Sequence, residues 1–142
     1  WGPSYEDSAI LEAIEKRGLK FERHDNINAA VGQILADGGL VARFAGRMEF
    51  GPRALGNRSI LYQTMDKTVN AWLNKHLERT EFMPFAPAVA AENGVPALIN
   101  TSFNMHEAPI VCDPDDAIDT FLRGKLEFLA VGNYLLRRAA IC

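Results

Sequence analysis

Residues 40–63 read LVARFAGRMEFGPRALGNRSILYQ. Leu40-Val41-Ala42-Arg43-Phe44 is a short apolar run that reads as a strand feeding straight into a loop. Ser59-Ile60-Leu61-Tyr62-Gln63 reads as a strand, or as the start of a helix, on the far side of it. The loop between them, Gly46 to Ser59, gathers three arginines, three glycines and a proline inside an acidic chain. Whatever fold the chain adopts must present this loop at the end of a buried strand.

Working outward, the segment before it carries two helical patterns. Ser4 or Asp7 is placed to cap a first helix with Ile10, Leu11 and Ile14 on one face, stopped by Gly18. Asn26 opens a second through Ile27, Ala30, Val31, Ile34 and Leu35 to the Gly38-Gly39 break. Downstream, Asp66 begins a pattern with Val69, Trp72, Leu73 and Leu77 on one side. Pro84 and Pro87 then force an extended course, with Phe85 to Ala91 as strand. Val95 to Ile99 reads as a short buried strand that delivers Asn100-Thr101-Ser102-Phe103-Asn104 at its end, where ligands gather in open α/β sheets. Asp113-Pro114-Asp115-Asp116 is a helix start, with Ile118, Phe121 and Leu122 facing inward. Glu127 to Val131 and Tyr134 to Arg137 close the chain as a hairpin around Gly132-Asn133. Strands and helices alternate without a repeat or linker, so residues 1–142 read as a single α/β domain.

The bulk composition agrees. With 142 residues, 48% hydrophobic and 23% charged, the chain has the make-up of one ordinary globular domain. A net charge of −3 argues against a surface built as a whole for nucleic acid. Two cysteines, Cys112 and Cys142, and no apolar leader point to a cytoplasmic setting rather than a disulfide scaffold. No apolar run reaches the ~20 residues of a membrane span. The start at Trp1, without a methionine, reads as a fragment or a processed chain.

Arginine presents a planar, permanently charged fork suited to phosphate or carboxylate, and glycines let backbone N–H groups approach an anion. Arg47, Arg53 and Arg58 are therefore candidates for an oxyanion cradle, although composition alone leaves solvated surface charge open as a reading. Gly51-x-x-x-x-Gly56-Asn57-Arg58-Ser59 lacks the lysine of a phosphate-binding P-loop. The side chains of Asn100, Thr101, Ser102 and Asn104 suit phosphate, ribose or an acyl group, or else cap a turn. Glu49 is a weak candidate for a magnesium ion, against an ion pair with Arg47 or Arg53. His24, His76 and His106 have no metal-site spacing, and Trp72 and the Phe82 to Phe85 cluster read as core.

At these same residues the chain resembles a known family. Gly46 to Ser59 resembles the GRMEFGPRALGNRSI signature of the NodU/CmcH-type O-carbamoyltransferases. Pro84-Phe85-Ala86-Pro87, Asn100 to Asn104 and the stretch from Pro109 to Ala117 resemble further motifs of that family in the same order. The resemblance implies a C-terminal YrdC-like domain, a twisted mixed β-sheet with flanking helices. Such a domain forms carbamoyl adenylate from carbamoyl phosphate and ATP, with Mg²⁺ accompanying the nucleotide. The carbamoyl group then passes to an N-terminal actin/sugar-kinase-like domain for transfer to an acceptor hydroxyl. Ser102 and Asn104 match the family's Ser-x-Asn nucleotide element, and Arg79 the arginine of its Lys-x-Arg element, where Leu77 stands in place of the lysine. The family's longer stretch between its PFAP and NTSFN motifs is here only Ala88 to Ile99. The abrupt Ala91-Glu92-Asn93-Gly94 join favours absent residues over a deletion. Two competing roles are an RNA-binding YrdC-like module and a catalytically silent docking or regulatory domain.

Overall fold

The fold is given by a computed structural model that describes residues 2–51, 53–64, 68–78, 86–88 and 97–138. In chain order the elements are α1 (Asp7–Glu15), β1 (Phe21–Arg23), α2 (Ile27–Ala36), β2 (Val41–Phe44), β3 (Arg58–Gln63), α3 (Val69–His76), β4 (Ala86–Ala88), β5 (Leu98–Ser102), α4 (Pro114–Arg123), β6 (Phe128–Val131) and β7 (Tyr134–Arg137). The strands form one mixed sheet in the order β1-β7-β6-β2-β3-β5-β4. All neighbours run antiparallel except β2 and β6, which pair in parallel with Val41 opposite Phe128 and Phe44 opposite Val131. The expected mixed α/β sheet with flanking helices is what the chain forms.

Alternation along β2 explains how the sheet is covered on both faces. Ala42 and Phe44 join a large core with Ile10 and Ile14 of α1, Leu73 of α3 and Ile118 and Phe121 of α4. Val41 turns the other way and packs with Ala130 under Ile27, Val31 and Leu35 of α2. Two helix starts follow the sequence closely. Asn26 accepts a hydrogen bond from the Ala29 N–H at 3.1 Å, and Asp113 one from Asp116 N–H at 2.8 Å, with Pro114 at the first helical position. Arg17, just beyond α1, ties it to α4 through Asp115 and Asp119.

Several expectations are corrected. Glu6, rather than Ser4 or Asp7, occupies the α1 cap position, without a side-chain capping bond. Asp7 accepts instead from Asn133 Nδ2 at 3.1 Å, which fastens the helix to the β6–β7 turn. The strand expected to end at Ile99 continues through Ser102, because β3 on one side and β4 on the other give Asn100 backbone partners. Leu122 lies on the solvent side of α4, and Trp72 is 37% exposed, stacked on His76 at 3.8 Å. The helix expected from Asp66 is described from Val69, and Asp66 lies outside the described residues, as do Phe82 to Phe85. Among the described residues no helix is long and apolar enough to cross a membrane.

Candidate functional site

The Gly/Arg loop is the connection of the β2–β3 hairpin, and its geometry is set by one buried side chain. Arg58 opens β3 and points into the large core, where it is fully buried with its guanidinium 3.6 Å above the Phe44 ring. Its Nη1 donates to the carbonyls of Ala45 at 2.8 Å and Asn57 at 2.9 Å, and Nη2 to that of Gly46 at 3.3 Å. Burial holds the guanidinium below the ordinary arginine range, against the pull of Glu49. The backbone closes the same neck, with Ala45 N–H donating to Asn57 O at 3.0 Å. Both Nη atoms of Arg58 thus hold the two ends of the loop together, while Nε has no partner among the described residues.

Inside the loop, Glu49 Oε1 accepts from the backbone N–H groups of Leu55 and Asn57. That replaces the expected ion pair with Arg47 or Arg53. Asn57 Nδ2 donates to Arg47 O at 2.8 Å. Gly51 and Gly56 have φ of 126° and 128°, which an L side chain would strain. The result is a braced loop that leaves Arg47 and Arg53 exposed, with Phe50 and Leu55 exposed beside them at 92% and 73%. Among the described residues Arg47 Nε reaches only Gly2 O, at 3.3 Å.

The opposite face of the same strands carries the second set. Ser59 is opposite Ser102, and Leu61 opposite Asn100, so Ser59, Asn100 and Ser102 share the α2 face of the sheet. Ser59 is fully buried, and neither its Oγ nor Asn100 Oδ1 has a hydrogen-bond partner. Buried polar atoms are nearly always paired; these two exceptions share one sheet face, whereas His24 Nε2, Arg58 Nε and Asn74 Oδ1, also unpartnered, lie elsewhere among the described residues. Ser102 Oγ donates to Asn104 Oδ1 at 2.6 Å, and Asn104 Nδ2 is held by the carbonyls of Met105 and Ala108, both at 2.9 Å. Thr101 faces the other way with Ile60. Arg79 lies outside the described residues. The structure therefore groups Asn100, Ser102 and Asn104, and does not gather the three arginines with them.

A further residue belongs to this face and was missed. Arg43, half-buried on β2, is opposite Ser59. The signal was present in the sequence as a lone charge inside the apolar run Leu40 to Phe44.

The family model for the carbamoyltransferase C-terminus matches residues 32–94 and 89–138. The chain belongs to the carbamoyltransferase C-terminus family. The two matched pieces of this carbamoyltransferase C-terminal domain meet at 89–94, where the sequence departs from the expected spacing. An uncharacterized protein of Methanocaldococcus jannaschii is 29% identical over 195 aligned positions, covering 91% of this chain and 38% of that protein. The alignment is longer than the 142-residue chain, so that relative holds residues this one lacks. The nodulation protein NolNO of Sinorhizobium fredii is 28% identical over 97% of the chain and 30% of its own length. The 3'-hydroxymethylcephem-O-carbamoyltransferase of Streptomyces clavuligerus is 41% identical over 46% of the chain. This carbamoyltransferase C-terminal domain thus spans 38% and 30% of the first two relatives' lengths.

Within it, the braced loop and the Ser59–Asn100–Ser102 strip both lie where β2 ends, β3 begins and β5 ends.

Proposed function

We propose that the chain is the nucleotide-handling part of an ATP-dependent O-carbamoyltransferase. In this reading carbamoyl phosphate loses its phosphate to water, leaving carbamate. A carbamate oxygen then attacks the α-phosphorus of ATP, forming the mixed anhydride as the bond to pyrophosphate breaks. The carbamoyl adenylate passes to an N-terminal actin/sugar-kinase-like domain, where the hydroxyl of an acceptor substrate attacks the carbamoyl carbon and AMP leaves. The matches to only 30–38% of the relatives' length support a chain that is one part of such a protein.

The observation that carries the reading is the pair of unpartnered atoms, Ser59 Oγ and Asn100 Oδ1, beside the Ser102–Asn104 hydrogen bond in a chain of this family. Negative charge spreads over phosphate oxygens as pyrophosphate departs, and exposed Arg47 and Arg53 are the loop's groups for stabilising it. Arg58 serves by fixing the loop. Among the described residues no three acidic, histidine or cysteine side chains form a metal cluster. In this reading magnesium arrives on the nucleotide, as Mg²⁺ bound to phosphates needs only one or two carboxylates. When bound, it neutralises phosphate charge.

Calorimetric titration of Mg·ATP into the chain, with and without carbamoyl phosphate, tests the proposal. Saturable binding is expected, weakened at least tenfold by Ser102→Ala, with pyrophosphate released when both substrates are present. A folded chain that binds no Mg·ATP overturns it.

A further inference from the structure

The end of the sheet away from the Gly/Arg loop, where β2 and β6 begin and β3 and β7 end, carries a recess of about 350 Å³. Among the described residues, Leu40, Tyr62, Trp72, Lys125, Glu127 and Arg138 line it. Tyr62 stands three residues along β3 from Ser59, about 10 Å away, and packs against the large core that holds Ile60. The recess thus differs from the Ser59–Asn100–Ser102 strip in both the end and the face of the sheet.

Its aromatic wall is set in place. Trp72 is 37% exposed, and its indole is stacked on the His76 imidazole with centroids 3.8 Å apart and planes at 19°. His76 Nδ1 donates to the Trp72 carbonyl at 2.9 Å, which keeps the imidazole flat against the indole. That stack takes one indole face and leaves the other for the recess that Trp72 lines. An ordered, half-open indole is a platform on which a planar ring stacks.

Its charged wall is unpaired. Lys125 and Arg138 line the recess, and among the described residues neither side chain forms an ion pair or a hydrogen bond. Glu127, the acid on the same wall, turns its carboxylate to the Leu40 N–H at 3.4 Å. Lys125 is also held in the left-handed region, with φ 50°. Glycine takes that conformation after a helix at least cost. A glycine stands one position earlier, but Gly124 has φ −71° and is needed for space, since an added Cβ would sit 3.0 Å from Thr120 O. A lysine kept in a strained backbone beside a cavity is a lysine whose ammonium is wanted there.

We infer that this recess binds a planar aromatic ring carrying an anionic group, as in a nucleoside monophosphate, with the ring on Trp72 and the anion between Lys125 and Arg138. The ring gains stacking and the oxyanion gains charge-assisted hydrogen bonds. A recess of this volume suits a ligand of mononucleotide size. The site uses no residue of the one proposed above and stands or falls apart from it.

The chain has two tryptophans, Trp1 and Trp72, so in Trp1→Phe the indole fluorescence reports on Trp72 alone. AMP is expected to quench it saturably. Adenosine and ribose 5-phosphate, which hold the ring or the anion without the other, should bind roughly tenfold more weakly. Placed in the same background, Arg138→Gln should weaken AMP by roughly tenfold. Lys125→Gly should weaken it to a like extent while melting no lower than its parent, because glycine accepts the left-handed backbone. Ser102→Ala should leave the quenching as it was. Absence of quenching at millimolar AMP overturns the inference, as does unchanged AMP affinity in folded Lys125→Gly and Arg138→Gln. Adenosine binding as tightly as AMP overturns the anion's part, and ribose 5-phosphate binding as tightly overturns the ring's. Quenching lost in Ser102→Ala overturns the recess as its source and assigns the effect to the other end of the sheet.

Discussion

The guanidinium carbon of Arg58 lies 3.6 Å from the centroid of the Phe44 ring, across the first pair of the β2–β3 hairpin. A cation stacked on an aromatic ring, with three backbone carbonyls taking its donors, is a strut at the neck of the loop. Arg58→Ala is therefore expected to destabilise the chain by about 2–4 kcal/mol, through a core cavity and stranded carbonyls. Arg58→Lys keeps the charge but not the fork, and should recover less than half of that loss. Urea unfolding of the three proteins checks it, and equal midpoints would remove the strut.

Glu49 makes a contrasting case. Its carboxylate organises the loop from inside, on Leu55 and Asn57, and the residue itself is half-buried. Glu49→Ala should cost about 1 kcal/mol of stability yet weaken Mg·ATP binding by roughly tenfold or more, because loop order is lost. A variant that binds like wild type would show that the brace does not shape the site.

The tie between α1 and α4 should be visible in acid. The hydrogen bond from Arg17 holds the Asp115 carboxyl below the usual aspartate range, so the folded form favours the ionised state. Stability from this pair is present above the ordinary value of about 3.9 and is lost as pH falls through the lower folded value. Asp115 is 48% exposed, so the contribution is at most about 1 kcal/mol. Asp115→Asn should unfold more easily than wild type near neutrality, with the difference closing below about pH 4. A difference independent of pH would show that the pair contributes through packing alone.

Gly132 sits at φ 56°, where an added Cβ would come within 2.7 Å of Ile10 Cδ1. Gly132→Ala should cost about 1–3 kcal/mol, read from thermal melting. Retention of the wild-type midpoint would mean that α1 shifts freely over the turn.

The local parts of this fold are legible in the sequence. Asn26 and Asp113 mark the starts of α2 and α4, Gly132-Asn133 marks the last hairpin, and the apolar run before Gly46 marks β2. The site is legible in part: Ser102 and Asn104 do meet. What residue types do not reveal is facing. Arg58 and Ser59 are adjacent in a strand and so point to opposite sides of the sheet, one into the core and one under α2. Strand register, fixed by distant partners, decides that. It also turned Asn100 to Ser102 from a loop into strand, and brought Arg43 beside Ser59.

The parallel pairing of β2 with β6 has a consequence for biosynthesis. Val41 finds Leu61 on one side soon after both leave the ribosome, but its other neighbour, Phe128, comes far later, as does Leu136, the partner of Phe21 in β1. At translation rates of about 5–20 residues per second, β1 and one edge of β2 wait roughly 5 to 20 s for the closing hairpin. During that interval the nascent chain carries open strand edges of the kind that template misassembly, so a ribosome stalled before Phe128 presents a client for chaperones rather than a half-built domain.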